Sequence, residues 1–110
     1  MVNYIEIEQG EEIFTIKIGR NAKENDLLIR ESDSDDTWFH LENISGPHIV
    51  VNNSGKKIDK TNLRYIGSLF TTYKNGLQNN YTVIYTEIKN VQLTKTPGLV
   101  VCKSTKTLKY

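Results

Sequence analysis

Residues 35–51, "DDTWFHLENISGPHIVV", decide how the rest of the chain is read. From Thr37 the residues alternate, Trp38 and His40 on one side and Phe39 and Leu41 on the other, as successive side chains of a strand do. "ENISGP" is rich in turn formers and "HIVVN" is a β-branched run, so the stretch reads as two strands of an antiparallel hairpin. It also gathers the chain's single Trp and both of its His beside Asp35, Asp36 and Ser45.

Upstream, "VNYIEIE" and "EIFTIKI" alternate around "QGE", a second hairpin with Ile5 and Ile7 facing Phe14, Ile16 and Ile18. Gly19 breaks that strand. Asn21 precedes Glu24 by three, the spacing of a capping box, and predicts a helix over about 22–31 that buries Leu27 and Leu28. Downstream, Leu63, Ile66, Phe70 and Tyr73 recur at helical spacing, Asp59 or Thr61 can cap the start, and Gly76 ends the run, giving a helix over about 60–74. "YTVIYTEI", "LVVCKS" after a Pro97–Gly98 turn, and "KTLKY" are the remaining strands. The order predicts an α+β single domain over 1–110, a largely antiparallel sheet with both helices on one face.

With 110 residues, 37% hydrophobic and 25% charged, the chain is an ordinary globular domain's worth of sequence. No apolar run reaches the roughly 18 residues of a membrane span, and no signal segment precedes the first strand. The lone Cys102 lies in an apolar run and excludes an internal disulfide, so a reducing, cytoplasmic or nuclear setting is expected. The net charge of +1 conceals an asymmetry: residues 1–42 hold eleven acids and four bases, residues 43–110 ten bases and only Asp59 and Glu87 as acids. Such a split suits a polyanion partner or pairs off across the folded surface.

Four chemistries compete for the hairpin. A metal could use His40, His48 and Asp36, but Trp38 would stand between them and no Cys pair or His-x-x-x-His spacing supports it. Ser45, His48 and Asp36 supply the types of a hydrolytic triad without a nucleophile elbow. "GRNAKEN" places Arg20, Asn21 and Lys23 at a helix start, where amides and dipole favour phosphate, yet it lacks the spacing of a nucleotide-hydrolysing loop, so no cofactor is expected. Finally, "GKKIDKTNLR" clusters Lys56, Lys57, Lys60 and Arg64, and the tail adds Lys89, Lys95, Lys103, Lys106 and Lys109. Cations for phosphates and planar rings for bases are what RNA binding needs. The residues alone leave open an ordinary packed hairpin and a solvated charge run.

Taken in order, "IGRNAKENDLLI", "DDTWFHLENISGPHIVV", "LRYIGSLFTTYKNG", "VIYTEIKNV" and "KTPGLVV" resemble the RNA-binding domain of the NFACT family over roughly 13–105. The matching residues are Gly19, Arg20, Asn21, Asn25 and Asp26; Asp36, Trp38 and His40; Gly46 and His48; Tyr85 and Thr86; Pro97 and Gly98. "MVNYIEIE" is also similar to the start of the small stand-alone eukaryotic members, which continue into a coiled coil, so a truncated stand-alone form is expected. The resemblance implies a non-enzymatic module that binds tRNA or ribosomal RNA in translation or ribosome-associated quality control, with the ribosome as partner and no membrane. Some small members are linked to DNA. On this reading Asp36 and Trp38 brace the site and His40 and His48 face the ligand. Arg20, Asn21, Lys23, Lys56, Lys57, Lys60 and Arg64 would bind the nucleic acid on one concave surface. The alternative is a protein-interaction domain that docks on a ribosomal or other protein through a sheet edge.

Overall fold

The computed structural model describes residues 2–78 and 80–110. Strands β1 (Asn3–Gln9) and β2 (Glu12–Ile18) form the first hairpin, paired from Asn3↔Ile18 to Gln9↔Glu12. Gly10 turns it at φ 62°, a left-handed conformation that costs glycine nothing. Helix α1 (Ala22–Glu31) follows, then β3 (Thr37–Leu41) and β4 (Ile49–Val51), which pair antiparallel as the hairpin reading expects. Helices α2 (Lys60–Ser68) and α3 (Phe70–Tyr73) lead to β5 (Thr82–Glu87), a short turn of 3₁₀ helix, and strands β6 (Val91–Leu93), β7 (Val100–Cys102) and β8 (Lys106–Lys109). The main sheet is antiparallel in the order β1-β2-β4-β3-β5-β8, and β6 and β7 make a separate two-stranded ribbon.

The α+β class holds, but the helices lie on opposite faces, not on one. The register explains why. Ile18, Ile49 and Phe39 stand side by side on one face, while Val50, Trp38 and Thr86 occupy the other. The central strands are thus apolar on both sides and need cover on both. Ile66, Leu69 and Phe70 of α2 and α3 close the first face over Phe14, Ile16, Phe39 and Val83. Leu28 and Ile29 of α1, joined by Val91, Leu93, Val100 and Cys102 of the ribbon, close the second over Trp38 and Val50. Cys102 is accordingly half-buried under α1's layer.

Three local expectations change. Leu27 is exposed, and Asn25, Leu28 and Ile29 are the buried stripe of α1. The long second helix breaks at Leu69, whose amide bonds Ile66 three residues back. Around the break, the hydroxyls of Ser68 and Thr71 bond the carbonyls of Tyr65 and Ser68, competing with the helical pattern. Strand β6, only three residues long, was not legible as a strand. The caps did behave as expected: Asn21 accepts from the Glu24 amide and Asp59 from the Asn62 amide. Glu24 reaches back to the Arg20 amide, one residue before the expected cap amide.

Candidate nucleic-acid interface

Four chain segments meet where β2 ends: the start of α1, the β3–β4 connection, the end of α3 and the β6–β7 turn. A buried polar cluster joins three of them. Trp38 Nε1 donates to His48 Nδ1 at 3.1 Å, so the neutral His48 ring carries its proton on Nε2, which faces the Gly98 backbone. The His48 amide donates to Asn25 Oδ1 at 3.1 Å, the His48 carbonyl accepts from the Gly19 amide, and the Gly98 amide donates to Asp26 Oδ1 at 2.9 Å. Each polar group here has a partner, as burial demands. Gly19 is required at its position because a Cβ would overlap the Asn25 amide oxygen. At Gly98, with φ +80°, a Cβ would come within 2.9 Å of Ala22.

His40 lies on the same side of the hairpin, its ring parallel to Trp38 at 5.7 Å and edge-on to His48 at 4.7 Å. Its Nδ1 donates to the Leu41 carbonyl at 2.7 Å. Burial pushes the His48 imidazole down to about 4, helped by the neighbouring His40 and opposed by the Gly98 backbone and Asp26. Burial lowers His40 as well, against its bonds to the Leu41 and Gly46 backbone. Both rings are therefore neutral at physiological pH. Trp38 and His48 are each 1% exposed. They present no face to a base, and the expectation that His48 faces the ligand is corrected: like Trp38 it positions the loops. His40 alone of the three reaches partly to solvent.

Over this cluster lies an open groove of about 880 Å³ lined by Arg20, Asn21, Ser45, Gly46, Lys74 and Gly98 among others. Among the described residues it holds the cations Arg20 and Lys74 and no carboxylate, at the positive end of the ten-residue α1. Lys74 was absent from the sequence reading; the end of α3 brings it beside Gly46, where a Cβ on Gly46 would touch its side chain at 3.7 Å. A base at a helix C-terminus was the one available signal, and it says nothing of what the helix end adjoins. Lys23 is exposed on α1 outside this lining.

The other expected contacts are elsewhere. β4 starts next to His48 and ends before the Asn53–Lys56 turn, so Lys56 and Lys57 lie at the far end of the sheet from Arg20. Lys56 pairs with Glu12 at 2.7 Å. Lys60 opens α2 at that far end, and Arg64 sits 4.1 Å over the Tyr110 ring and donates to the Lys109 carbonyl. The single concave basic surface is therefore replaced by separated groups. Asp36, fully buried, accepts from the Ser54 and Asp33 amides and from Asn52 Nδ2. It anchors the far-end turn, so it does not orient His48, and the Ser45–His48–Asp36 triad is not assembled. Among the described residues no group of three or more His, Cys, Asp or Glu is placed to hold a metal ion.

A Trp–His–Asn cluster thus lies under a cationic groove, on an antiparallel sheet covered by helices on both faces. The sequence matches the family described as the NFACT protein RNA binding domain over residues 1–104, and the chain belongs to that family. Among its relatives, coiled-coil domain-containing protein 25 of Bos taurus is 30% identical over 87 residues, covering 74% of this chain and 42% of that protein. The archaeal Rqc2 homolog aRqcH of Methanocaldococcus jannaschii is 27% identical over 85 residues, covering 76% of this chain and 13% of its own length. The chain thus spans less than half of the curated relatives it matches. The C-terminal part of the fibronectin/fibrinogen-binding protein from Streptococcus suis has the same fold, with a TM-score of 0.77 and 24% identity over 96% of this chain and 43% of that one.

Proposed function

We propose that this chain is a non-enzymatic RNA-binding module whose primary contact is the groove at the start of α1. The observation that carries the reading is the lining of that groove: Arg20 and Lys74 with no carboxylate, seated on a cluster whose bonds leave the loops little freedom. Preorganised amides and cations suit a phosphate backbone, and membership of the RNA-binding domain family supports RNA as the polyanion. Tyr73 contributes an aromatic side chain to the groove's lining, and Asn21 adds a polar neighbour at the helix start. tRNA or ribosomal RNA is the target we favour, in the cytoplasm, and kinship with a protein named as an Rqc2 homolog supports a place in ribosome-associated quality control. No step of chemistry is assigned to the module, since its two imidazoles are committed to packing and backbone bonds.

The test is a titration of fluorescent tRNA, single-stranded RNA and duplex DNA across a range of salt. Affinity should fall with a log–log slope of about 0.7 per single-strand phosphate neutralised. Arg20→Glu with Lys74→Glu should weaken tRNA binding about tenfold or more and flatten the slope by roughly one to two. A flat slope in the unmodified chain overturns the reading, and a preference for duplex DNA over both RNAs replaces its ligand.

A further inference from the structure

Two family-pattern segments are left over by the groove at α1: Asp36, and the pair Tyr85–Thr86. Tyr85 and Thr86 line a second groove, of about 480 Å³, at the opposite end of the sheet between α2 and the start of β8, and the turn that Asp36 holds forms another part of its wall. That volume is suited to a small ligand of nucleotide size. Its apolar wall is Ile58, Leu63 and Tyr85, and the Tyr85 ring is stacked on one side by Phe39 at 5.4 Å. Asn53, Thr86 and Ser104 also line it.

Its cations are held in place. Ser54 (φ 49°) and Gly55 (φ 82°) make a tight left-handed turn, closed by the Lys56 amide on the Asn53 carbonyl and by Asn53 Nδ2 on the Lys56 carbonyl. Buried Asp36 clamps that turn through the Ser54 amide at 3.0 Å, and the Gly55 amide bonds the Asp35 carbonyl. Lys56 and Lys57 follow directly. Across the groove Lys106 lies beside Tyr85 in the β5–β8 register. The charges sort themselves by pairing. Lys56 is taken by Glu12, and the two acids of the lining, Asp35 and Glu87, both lie within 3.5 Å of Lys89 Nζ. Lys57 and Lys106 make no ion pair among the described residues and flank the apolar wall from two sides.

We infer that this groove is a second, separate nucleotide site: it takes one unpaired nucleotide of a single strand, the base against Tyr85, Ile58 and Leu63 and the phosphate between Lys57 and Lys106. The inference rests on the RNA-binding reading for its ligand class, and it gives the buried Asp36 a task, the presentation of the lysine turn. Placement at the far end of the sheet means that a strand contacting both grooves must pass along the length of the central strands.

Amide NMR on the whole chain tests it, with adenosine 5′-monophosphate, adenosine and inorganic phosphate as separate probes. The monophosphate should shift the amides of Asn53, Thr86 and Ser104, and adenosine or phosphate alone should shift them less. Lys57→Glu with Lys106→Glu, both exposed, should weaken the monophosphate about tenfold or more, since each lost bond is charge-assisted. Unmoved amides, or an unchanged response in the double variant, overturn the site. The three-probe comparison needs no variant to fold. Parallel tRNA titrations separate the two failures: if tRNA still binds in a manner sensitive to Arg20→Glu, only this groove falls. Monophosphate shifts without any tRNA binding uphold the site and remove the RNA reading.

Discussion

Trp38 of β3 and His48, ten residues further on and one before β4, are joined side chain to side chain: the indole Nε1 donates to the imidazole Nδ1 at 3.1 Å, with both residues 1% exposed. A ring nitrogen that accepts from an indole cannot also be protonated, so this bond sets the His48 tautomer and excludes the charged form. It fastens the β3–β4 connection under the groove that carries Arg20 and Lys74.

Trp38→Phe removes the donor and leaves a buried acceptor unpaired. The expected cost is about 1–3 kcal/mol plus the loss of packed ring volume. Urea unfolding should show a lower midpoint at unchanged slope. tRNA affinity should also fall, although Trp38 touches no ligand. Wild-type stability in this variant would show that the bond contributes nothing.

The pH dependence has a defined sign. An unfolded imidazole titrates near 6.5, whereas burial holds His48 at about 4 in the fold, so between these values the unfolded chain binds more protons. The stability it confers is complete above pH 6.5 and is lost as pH falls toward 4, by roughly 3 kcal/mol in all. His40, lowered in the same direction, adds to the loss. Urea midpoints measured from pH 7.5 to 4 should decline, and the His48 ring protons should not titrate at pH 6. A midpoint constant over that range contradicts the assignment.

Gly19→Ala should destabilise by about 1–3 kcal/mol, because its Cβ displaces the Asn25 side chain from the His48 amide. Asn25→Ala removes the same bond. The two changes combined should therefore cost much less than their sum, which a double-mutant cycle measures. Full additivity would mean that the two sites act separately.

Asp36→Ala strands three donors, the amides of Ser54 and Asp33 and the side chain of Asn52. About 3 kcal/mol or more of stability should be lost. Hydrogen exchange at the Ser54 amide should quicken well beyond the rise expected from global destabilisation. Equal acceleration everywhere would deny Asp36 its specific hold on the lysine turn.

Much of the local structure was legible. Asn21 and Glu24 marked the start of α1, alternation marked both hairpins, and the faces of Trp38 and Phe39 followed from period two. What failed depended on neighbours. Leu27 and Ile29 are equally apolar, and only the sheet beneath α1 selects Ile29 for burial. Lys74 and Gly46 lie 28 positions apart, and no local pattern pairs them.

The amino-acid order by itself determined the class of fold, most of the strand segments, the starts of α1 and α2 with their caps, and the family likeness, because these depend on side chains within a few positions of one another. Only the tertiary structure decided which lysines share a surface. It split the basic half between two ends of the sheet, tied Lys56 to Glu12 and Lys89 to Asp35 from distant segments, and buried the Trp–His pair beneath one groove. The physical reason is that the central strands are apolar on both faces. They draw helical cover to each side, and the strand order then sets which distant loops meet.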